Sequence, residues 1–582
     1  MEAIKEKIDT FLGLNNMLNP ASNEYREGMA YKSTNSRIDE HGLWTAQQAL
    51  TGVSGSPATA ASPSGGGNHF KALTIDDVLT IISMDVGTSC DVGPNKKVYS
   101  TTGAGAVKNA DGDVTGLTRP TISAGEQDGS SSRAENGTYY YMCTIYNTTY
   151  DREGLPSATI DSAEIDHGNG AKDFIRLTSG TTATATNKIR FYRSLRTCSA
   201  ENVYNSASTF YYLGEITSGT TFDDYLHDEE IIDYEYEGRG TVPPQAIDYL
   251  VSYNNRMLYF AGNVLYWSSA GRPEEVAQAY SITIGSSSVT CQPKLGVGVY
   301  GEAKYEIGEL EGQKVLAALP LQGRLYVWTA ALMGYIEPRT QLEGYRFRTL
   351  YKGVGVTSDK TLALSPYGLF GADRKGIWLF KGAGFPRRLT DYRIDIETST
   401  KETYLTQENR TNSFGCWVPA LNEYFWGVTG KIIAYQADRD IFVGPYNYGV
   451  NGGVAFGNSS GLQVYLTGGQ TPNPTTKSSA SRELQFWLGQ SRPTVVKDNV
   501  SVEAMHTTTG SISAQVIQNC IPSETGASGT VTKTITTAVE QLSPDSSGRF
   551  FRLKLTTLST NAALALITYR YNAVDWTKNH GR

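Results

Sequence analysis

The chain has 582 residues, of which 19% are charged, 60 are glycine and 36 are tyrosine. Such a length exceeds what one hydrophobic core serves and points to about three or four domains, while the composition favours short strands joined by glycine and asparagine turns over long helices. With 51 basic against 58 acidic residues and a net charge of −7, there is no broad cationic surface for holding a phosphate backbone, which disfavours a DNA-binding regulator and is compatible with a surface that DNA slides past.

The first fifty residues hold the only helical patterns, from Glu2 to Leu12 and around Trp44 to Leu50, separated by an asparagine-rich stretch. They predict a short N-terminal helical arm. The opening MEAIKEKIDTFLGL mixes acids with lysines and has no apolar core of a secretory signal. Thr51 to Asn68, rich in glycine, serine, proline and alanine, reads as a mobile surface loop.

From about Thr118 to Glu237 the texture becomes that of a small antiparallel sandwich. Gly137 to Ser157 alternates large and small residues and turns at Asp151 to Gly154; strands are expected next at Asp173–Ser179, Lys188–Leu195, Phe210–Ile216 and Thr220–Leu226. The rhythm resembles immunoglobulin-like or fibronectin type III-like modules. From Val242 to about Gly489 a different unit recurs: an aromatic strand, a tight glycine or asparagine turn and a second aromatic strand. Copies start at Arg256, Gly323, Leu362, Glu423 and Leu462, the last being Leu462 to Gly469 with Leu484 to Gly489, roughly 40 to 65 residues apart, against ~40–50 for propeller blades. A hairpin of this size cannot bury its own aromatic face, so radial stacking into an irregular β-propeller is the economical arrangement. The last 90 or so residues contain five more strand-like runs, including GSISAQVIQ, RFFRLKLTTL and NAALALITYRYNAV.

The expected fold class is therefore all-β, an irregular β-propeller core with an inserted immunoglobulin/fibronectin III-like sandwich and a C-terminal β-domain. The expected boundaries are 1–117 for the arm and first propeller strands, 118–240 for the sandwich, 241–490 for the propeller body and 491–582 for the C-terminal domain. No apolar run reaches the ~20 residues of a membrane helix.

Few motifs carry chemistry. Gly296, Gly298 and Gly301 match G-x-G-x-x-G, but β-type residues and another glycine come next where a dinucleotide site needs a helix, so a turn is expected. Phosphate-loop, zinc-protease and hydrolase-elbow patterns are absent. The six cysteines (Cys90, Cys143, Cys198, Cys291, Cys416, Cys520) form no C-x-x-C pair and read as isolated buried thiols. The histidines at 41, 69, 167, 227, 506 and 580 are far apart, reading as surface or turn residues. Asn109 to Asp113 (NADGD) has the flavour of a calcium loop, yet D-G is above all a turn signal. The acidic stretch Asp223 to Glu237 reads as a solvated linker rather than a source of paired glycosidase carboxylates, since no cleft is implied. No catalytic residue, cofactor or metal is expected, and the chain reads as no enzyme.

The arm from Phe11 to Trp44, with Gly13, Leu14 and Asn15 and then Glu27, Tyr31, Asn35 and Gly42, resembles the opening of podovirus-type bacteriophage tail nozzle proteins, the tail tubular protein B-like family. Leu12-Gly13 replaces the doubled glycine of that family's phrase. Two further segments are similar to hairpins of the same family: Val242 to Val276, with RMLYFAGNVLYWSSAGRPEEV, and Gly353 to Asp391, with LALSPYGLFGADRKGIWLFKG. Their order carries the resemblance across most of residues 11–490. It implies a structural subunit of the virion, assembled in the host cytoplasm as a homo-oligomeric, usually hexameric ring. Below the portal and head-tail adaptor the ring extends the DNA-ejection channel and anchors tail fibres or spikes, and genomic DNA passes through its lumen without sequence-specific binding. The alternative is a receptor- or carbohydrate-binding tail adhesin; a third reading, a propeller glycosidase, would require two carboxylates converging on one pocket at ~5 to 10 Å, and nothing in the sequence locates such a pair.

Overall fold

The structure is a computed structural model and describes every residue except 1–2, 9–10, 16, 18–28, 42, 54–57, 86, 103–104, 129–134, 166–171, 197–209, 239, 285–286, 297–298, 340–343, 400–402, 407–409, 429, 459–460, 481, 489–495, 507–511, 520–527, 536–538, 543–549, 558–563 and 575–582. Glu27 and Gly42 of the arm, Gly298, Cys198, Cys520, His167 and His580 lie outside the described residues. Strands dominate, with a short α-helix at Asp228–Ile231. The chain forms two compact units: Met1–Thr59 with Gly67–Ala72 and Val354–Arg582, and Ala60–Gly66 with Leu73–Gly353.

Five antiparallel sheets of propeller-blade type stand at the recurring hairpins; four have four strands, and the first gains a fifth, Lys304–Glu306, along Val264–Ser269. The expected second strand of the fifth copy, 484–489, lies instead in Arg482–Leu488 of the C-terminal domain. Blade 1 (Tyr249–Tyr253, Arg256–Ala261, Val264–Ser269, Arg272–Val276) and blade 2 (Ala317–Leu321, Arg324–Trp328, Leu332–Pro338, Tyr345–Lys352) belong to the second unit. The first unit holds blade 3 (Ala363–Ser365, Gly368–Asp373, Gly376–Phe380, Arg387–Arg388) and blade 4 (Phe414–Val418, Glu423–Val428, Lys431–Gln436, Ile441–Asn447). It also holds blade 5, made of Gly453–Asn458, Gly461–Leu466 and Gln470–Lys477 with a fourth strand, Gln48–Gly52, taken from near the N-terminus. That borrowed strand covers an edge that the chain's own order would leave open.

Blade 4 shows why these strands need neighbours on both sides. Phe414, Cys416, Val418, Phe425, Ile432, Ala434 and Val443 enter one core, whereas Trp417, Tyr424, Trp426, Val428, Ile433, Tyr435 and Phe442 enter another. With a side-chain period of two, a strand buried along its whole length must be covered on both faces. Blade 3 supplies one cover: the Phe370 ring stacks on Tyr424 at 4.9 Å and on Trp417 at 5.8 Å, pairs worth about 0.5–1.5 kcal/mol each beyond burial. Val464 and Leu466 of blade 5, with Leu484, Phe486, Leu553 and Ile567, supply the other.

Glycines make room for these rings. Gly371 faces Trp378 across the ladder of blade 3, and Gly427 faces Phe414 in blade 4. A side chain at either position would fall inside the facing ring. At the rim of blades 3 and 4, Asp440 accepts hydrogen bonds from Tyr435 (2.6 Å), Arg387 (2.6 Å) and Arg393 (3.0 Å). Burial works against its charge, but the donors from Arg393, Tyr435 and Arg387 outweigh it and hold the carboxyl at about 2.

The C-terminal β-domain consists of two sheets, each completed by N-terminal strands. Ser36–Ile38, Trp44–Ala46, Leu564–Val574, Val496–His506 and Val539–Leu542 form one, to which Ala3–Ile8 adds along Leu564–Val574. Ala30–Thr34, Arg482–Leu488, Phe550–Thr557, Ile512–Asn519 and Ser528–Ile535 form the other. The expected helical arm is thus corrected: Ala3–Ile8, Trp44–Ala46 and Gln48–Gly52 are strands. Pairing with distant strands overrides the local helical period, and Glu6 is fixed by the hydroxyls of Tyr569 and Tyr571. The expected mobile loop at 51–68 is in part a strand, Ala58–Ala61, followed by a turn in which the Ser62 hydroxyl donates to the Gly65 carbonyl at 2.6 Å.

In the second unit, a three-stranded sheet (Ile122–Asp128, Lys172–Ala183, Gly219–Asp224) faces a larger one (Phe210–Ile216, Asn187–Ser194, Gly137–Asn147, Thr159–Ile165) across a core of Tyr141, Cys143, Ile175, Leu177, Ile189 and Phe191. The larger sheet continues past blade 1 in sequence: Tyr280–Ile284 pairs parallel with Thr159–Ile165, and Ser287–Cys291 pairs with it in turn.

This packing has two measurable consequences. Gly371→Ala should lower the unfolding free energy by about 1–3 kcal/mol in urea titrations, by overpacking against Trp378. Asp440→Asn should cost no more than about 1 kcal/mol at pH 7 because the cluster is partly exposed. The folded-state pKa of Asp440 is depressed, so its contribution should be lost as pH falls from its ordinary 3.8 through about 2. Urea titrations of both proteins at descending pH should therefore converge.

Candidate functional site

The last strand of blade 1 reads Arg-Pro-Glu-Glu-Val, and all but its first residue are buried. Successive side chains leave a strand on opposite faces, so the two acids part company. Glu274 turns to a closed network, accepting from the Tyr99 hydroxyl at 3.0 Å and the Asn109 amide at 2.8 Å while Arg152 pairs with it at 2.7 Å. Glu275 turns to the other side, where its Oε1 accepts from the Glu153 backbone N–H at 2.5 Å and Arg272 lies 3.4 Å away. Arg152–Glu153 is itself a two-residue strand on the edge of Gly137–Asn147, so the pairs Arg152/Glu274 and Glu153/Glu275 couple sandwich and blade within one unit.

Around Glu153 and Glu275 opens a cleft of about 320 Å³, lined also by Arg190, Tyr192, Tyr212, Tyr234, Glu235, Tyr236, Glu237 and Arg272. The segment carrying Tyr234 and Tyr236 lies along Phe210–Ile216: the Tyr212 N–H donates to the Tyr234 carbonyl and the Tyr236 N–H to the Phe210 carbonyl, both at 2.8 Å. Gly240 is pressed against the backbone of Gly154, where a Cβ would not fit. Glu153 receives the hydroxyls of Tyr192 and Thr144 and the Arg190 guanidinium at 3.3 Å. Arg190 also bonds Glu215 at 3.1 Å and lies 3.6 Å above the Tyr146 ring. Burial opposes the Arg190 charge, yet Glu153, Tyr192 and Glu215 raise its pKa above the ordinary value.

Two residues that line the cleft carry perturbed polar groups. Burial, with the nearby Glu153 charge adding to it, pushes the Glu275 carboxyl up to about 7 against the opposing pull of Arg272 and the Glu153 N–H. At neutral pH such a group can donate or accept a proton or hydrogen bond. The Tyr236 hydroxyl is buried and has no hydrogen-bond partner among the described residues, a state that costs about 1–3 kcal/mol when nothing meets it. Burial foremost, then Tyr280 and Glu153, raise its pKa well above the ordinary tyrosine value.

The acidic stretch is accordingly no solvated linker. Asp224 is buried against Arg193 at 2.8 Å and accepts from the Tyr141 hydroxyl, Asp228 holds Arg193 at 2.9 Å, and Glu235 pairs with Lys294. Its partners lie far off in sequence. Asn109 to Asp113 forms a hairpin in which the Asn109 side chain accepts the Asp111 N–H at 2.9 Å. Gly296 ends a short hairpin strand paired with Val299–Tyr300, and Gly301 comes directly after that hairpin. His69, read as a surface or turn residue, is buried. Cys90, Cys143, Cys291 and Cys416 are buried. No cluster of metal-binding type occurs among the described residues.

A second cavity, of about 410 Å³, lies in the first unit and includes Arg37, Gln48, Gln436, Arg439 and Lys477. Two of its lining groups are already committed, since Arg37 (3.0 Å) and Gln436 (2.9 Å) donate to buried Glu423, which also accepts from Tyr446 (3.1 Å).

No protein-family model matches the chain, nor does any curated protein. Among solved structures it is similar to an exo-β-1,3-galactanase from Phanerochaete chrysosporium with β-1,3-galactotriose, at 10% identity and TM-score 0.16, over 68% of this chain and 100% of that one. A glycoside hydrolase matches at 7% identity and TM-score 0.17, over 68% and 94%. PorZ, a surface component of the type-IX secretion system of Porphyromonas gingivalis, matches at 10% identity and TM-score 0.24, over 94% and 75%. Glycoside hydrolases among these structures overturn the expectation that the chain is no enzyme. TM-scores this low carry no argument for a particular reaction.

Glu275 has a testable signature in stability. Its pKa is raised from 4.5 to about 7 on folding, so the folded chain keeps a proton that the unfolded chain releases, and stability falls as pH rises from 4.5 to about 7. Glu275→Gln removes that loss. Between pH 5 and 8 the variant should gain about 1–3 kcal/mol on the wild type in urea titrations.

Proposed function

We propose that the chain is a structural subunit of a bacteriophage tail nozzle ring, extending the DNA-ejection channel below the portal and adaptor and offering attachment points for fibres or spikes. The observation that carries this reading is the order of the nozzle-like segments together with their place in the fold. Val242 to Val276 spans blade 1, and Gly353 to Asp391 spans blade 3, each with its aromatic hairpin as the central pair of strands. Blades buried on both faces make stiff walls, as a conduit under load requires. The net charge of −7 suits a lumen that DNA passes without adhering. Its partners would be further copies of itself, the adaptor or portal, and a fibre or spike.

Negative-stain microscopy and mass photometry of the purified chain, alone and with portal and adaptor proteins, test the reading. Rings of about six subunits, formed spontaneously or on the adaptor, are the expected outcome. Monomers or trimers that ignore the adaptor and bind host-cell glycan would replace it with the adhesin reading.

A further inference from the structure

The nozzle reading assigns no role to the cleft between the sandwich and blade 1 of the second unit. We infer that it is a saccharide-binding subsite for the end of a neutral glycan, with the Tyr234 ring as stacking face and the Tyr236 hydroxyl and Glu275 carboxyl as polar floor.

Three observations carry this. Tyr234 lines the cleft with 61% of its surface exposed, whereas Tyr236, two residues on, is 4% exposed and packs its ring 4.8 Å from that of Tyr192. A bare aromatic face beside buried polar groups matches the two-sided chemistry of a pyranose, which has an apolar C–H face and a rim of hydroxyls. The buried Tyr236 hydroxyl meets no partner among the described residues, and a sugar hydroxyl would supply one. The charges then select among sugars. Glu153, Glu235, Glu237 and Glu275 outnumber Arg190 and Arg272 among the described lining residues. Both guanidiniums are already engaged, Arg190 with Glu153 and Glu215, Arg272 with Glu275 and Asp151. Neither is left over to receive a carboxylate or phosphate, so uronates, sialic acids and sugar phosphates are disfavoured. The volume of about 320 Å³ sits at the small end of ligand sites and suits about one or two sugar rings.

The inference does not rest on the nozzle reading, and its test leaves ring assembly untouched. The full-length chain is titrated with methyl glucoside, methyl galactoside, N-acetylglucosamine and cellobiose, with glucuronate as the charged control. Binding is read by saturation-transfer NMR and calorimetry. At least one neutral probe should saturate, and glucuronate should not. Tyr234→Ala, a change on an exposed ring, should weaken binding about tenfold or more. Tyr236→Phe, which removes a single oxygen, should weaken it about five- to tenfold with no loss of melting temperature. Failure of every neutral probe to saturate would overturn the inference, as would glucuronate binding equally well or affinity that both variants leave unchanged.

Discussion

A strand whose every residue is buried has no solvent face, and this constraint governs the first unit. Trp417 and Cys416 are neighbours in sequence yet belong to different cores, so blade 4 is stable only when sandwiched. Each further requirement descends from that one. The facing sheets must come close, so glycines at 371 and 427 stand opposite Trp378 and Phe414. The open edge of blade 5 must also be finished, so Gln48–Gly52 pairs with Gln470–Lys477. Large aromatic surfaces supply most of the driving force, since each buries more apolar area than an aliphatic side chain.

The blades are legible in the sequence because their signals are local. Alternating aromatics flanking a glycine or asparagine turn mark a hairpin whatever surrounds it, and four of the five expected hairpins pair as read. In the fifth, Gly461–Leu466 pairs with Gly453–Asn458 and Gln470–Lys477, while Arg482–Leu488 joins the C-terminal domain instead, because its partners Ala30–Thr34 and Phe550–Thr557 are distant in sequence. The N-terminal segment misleads for the opposite reason. Ala3–Ile8 has a helix-like pattern, but its conformation is decided by Leu564–Val574, more than five hundred residues away. The acidic stretch misleads likewise, because Arg193 and Lys294, which neutralise it, lie on other strands. Of the cleft, only Glu235, Tyr236 and their neighbours stand out in the sequence, and there they have the texture of a linker. One signal is present: two consecutive acids in a strand flanked by proline and valine must face opposite sides, and if the strand is central both must be buried and partnered.

The cleft owes its properties to how sandwich and blade are joined. Arg152 and Glu153 interleave with Glu274 and Glu275, and Tyr280–Ile284 extends the sandwich sheet in parallel. The sandwich is therefore fastened to blade 1 by an ionic network and by strand pairing rather than hung from a linker. A site framed by two such elements is held in shape before any ligand arrives, which limits the ordering cost of binding.

The chain order of the pairings also sets a schedule for synthesis. Ala60–Gly66 and Leu73–Gly353 make up the second unit and lie close together in the chain, so it can fold while the ribosome is still translating the remainder of the message. The first unit is divided around it: Ala3–Ile8 and Ala30–Thr34 leave the ribosome early, but their partners Leu564–Val574 and Arg482–Leu488 emerge only after hundreds of further residues. At about 5–20 residues per second this leaves the N-terminal strands unpaired for tens of seconds. Their backbone groups are open to other nascent chains throughout that interval. A premature stop late in the message would therefore yield a protein with a sound middle and two unpaired ends, a species suited to aggregate rather than to assemble.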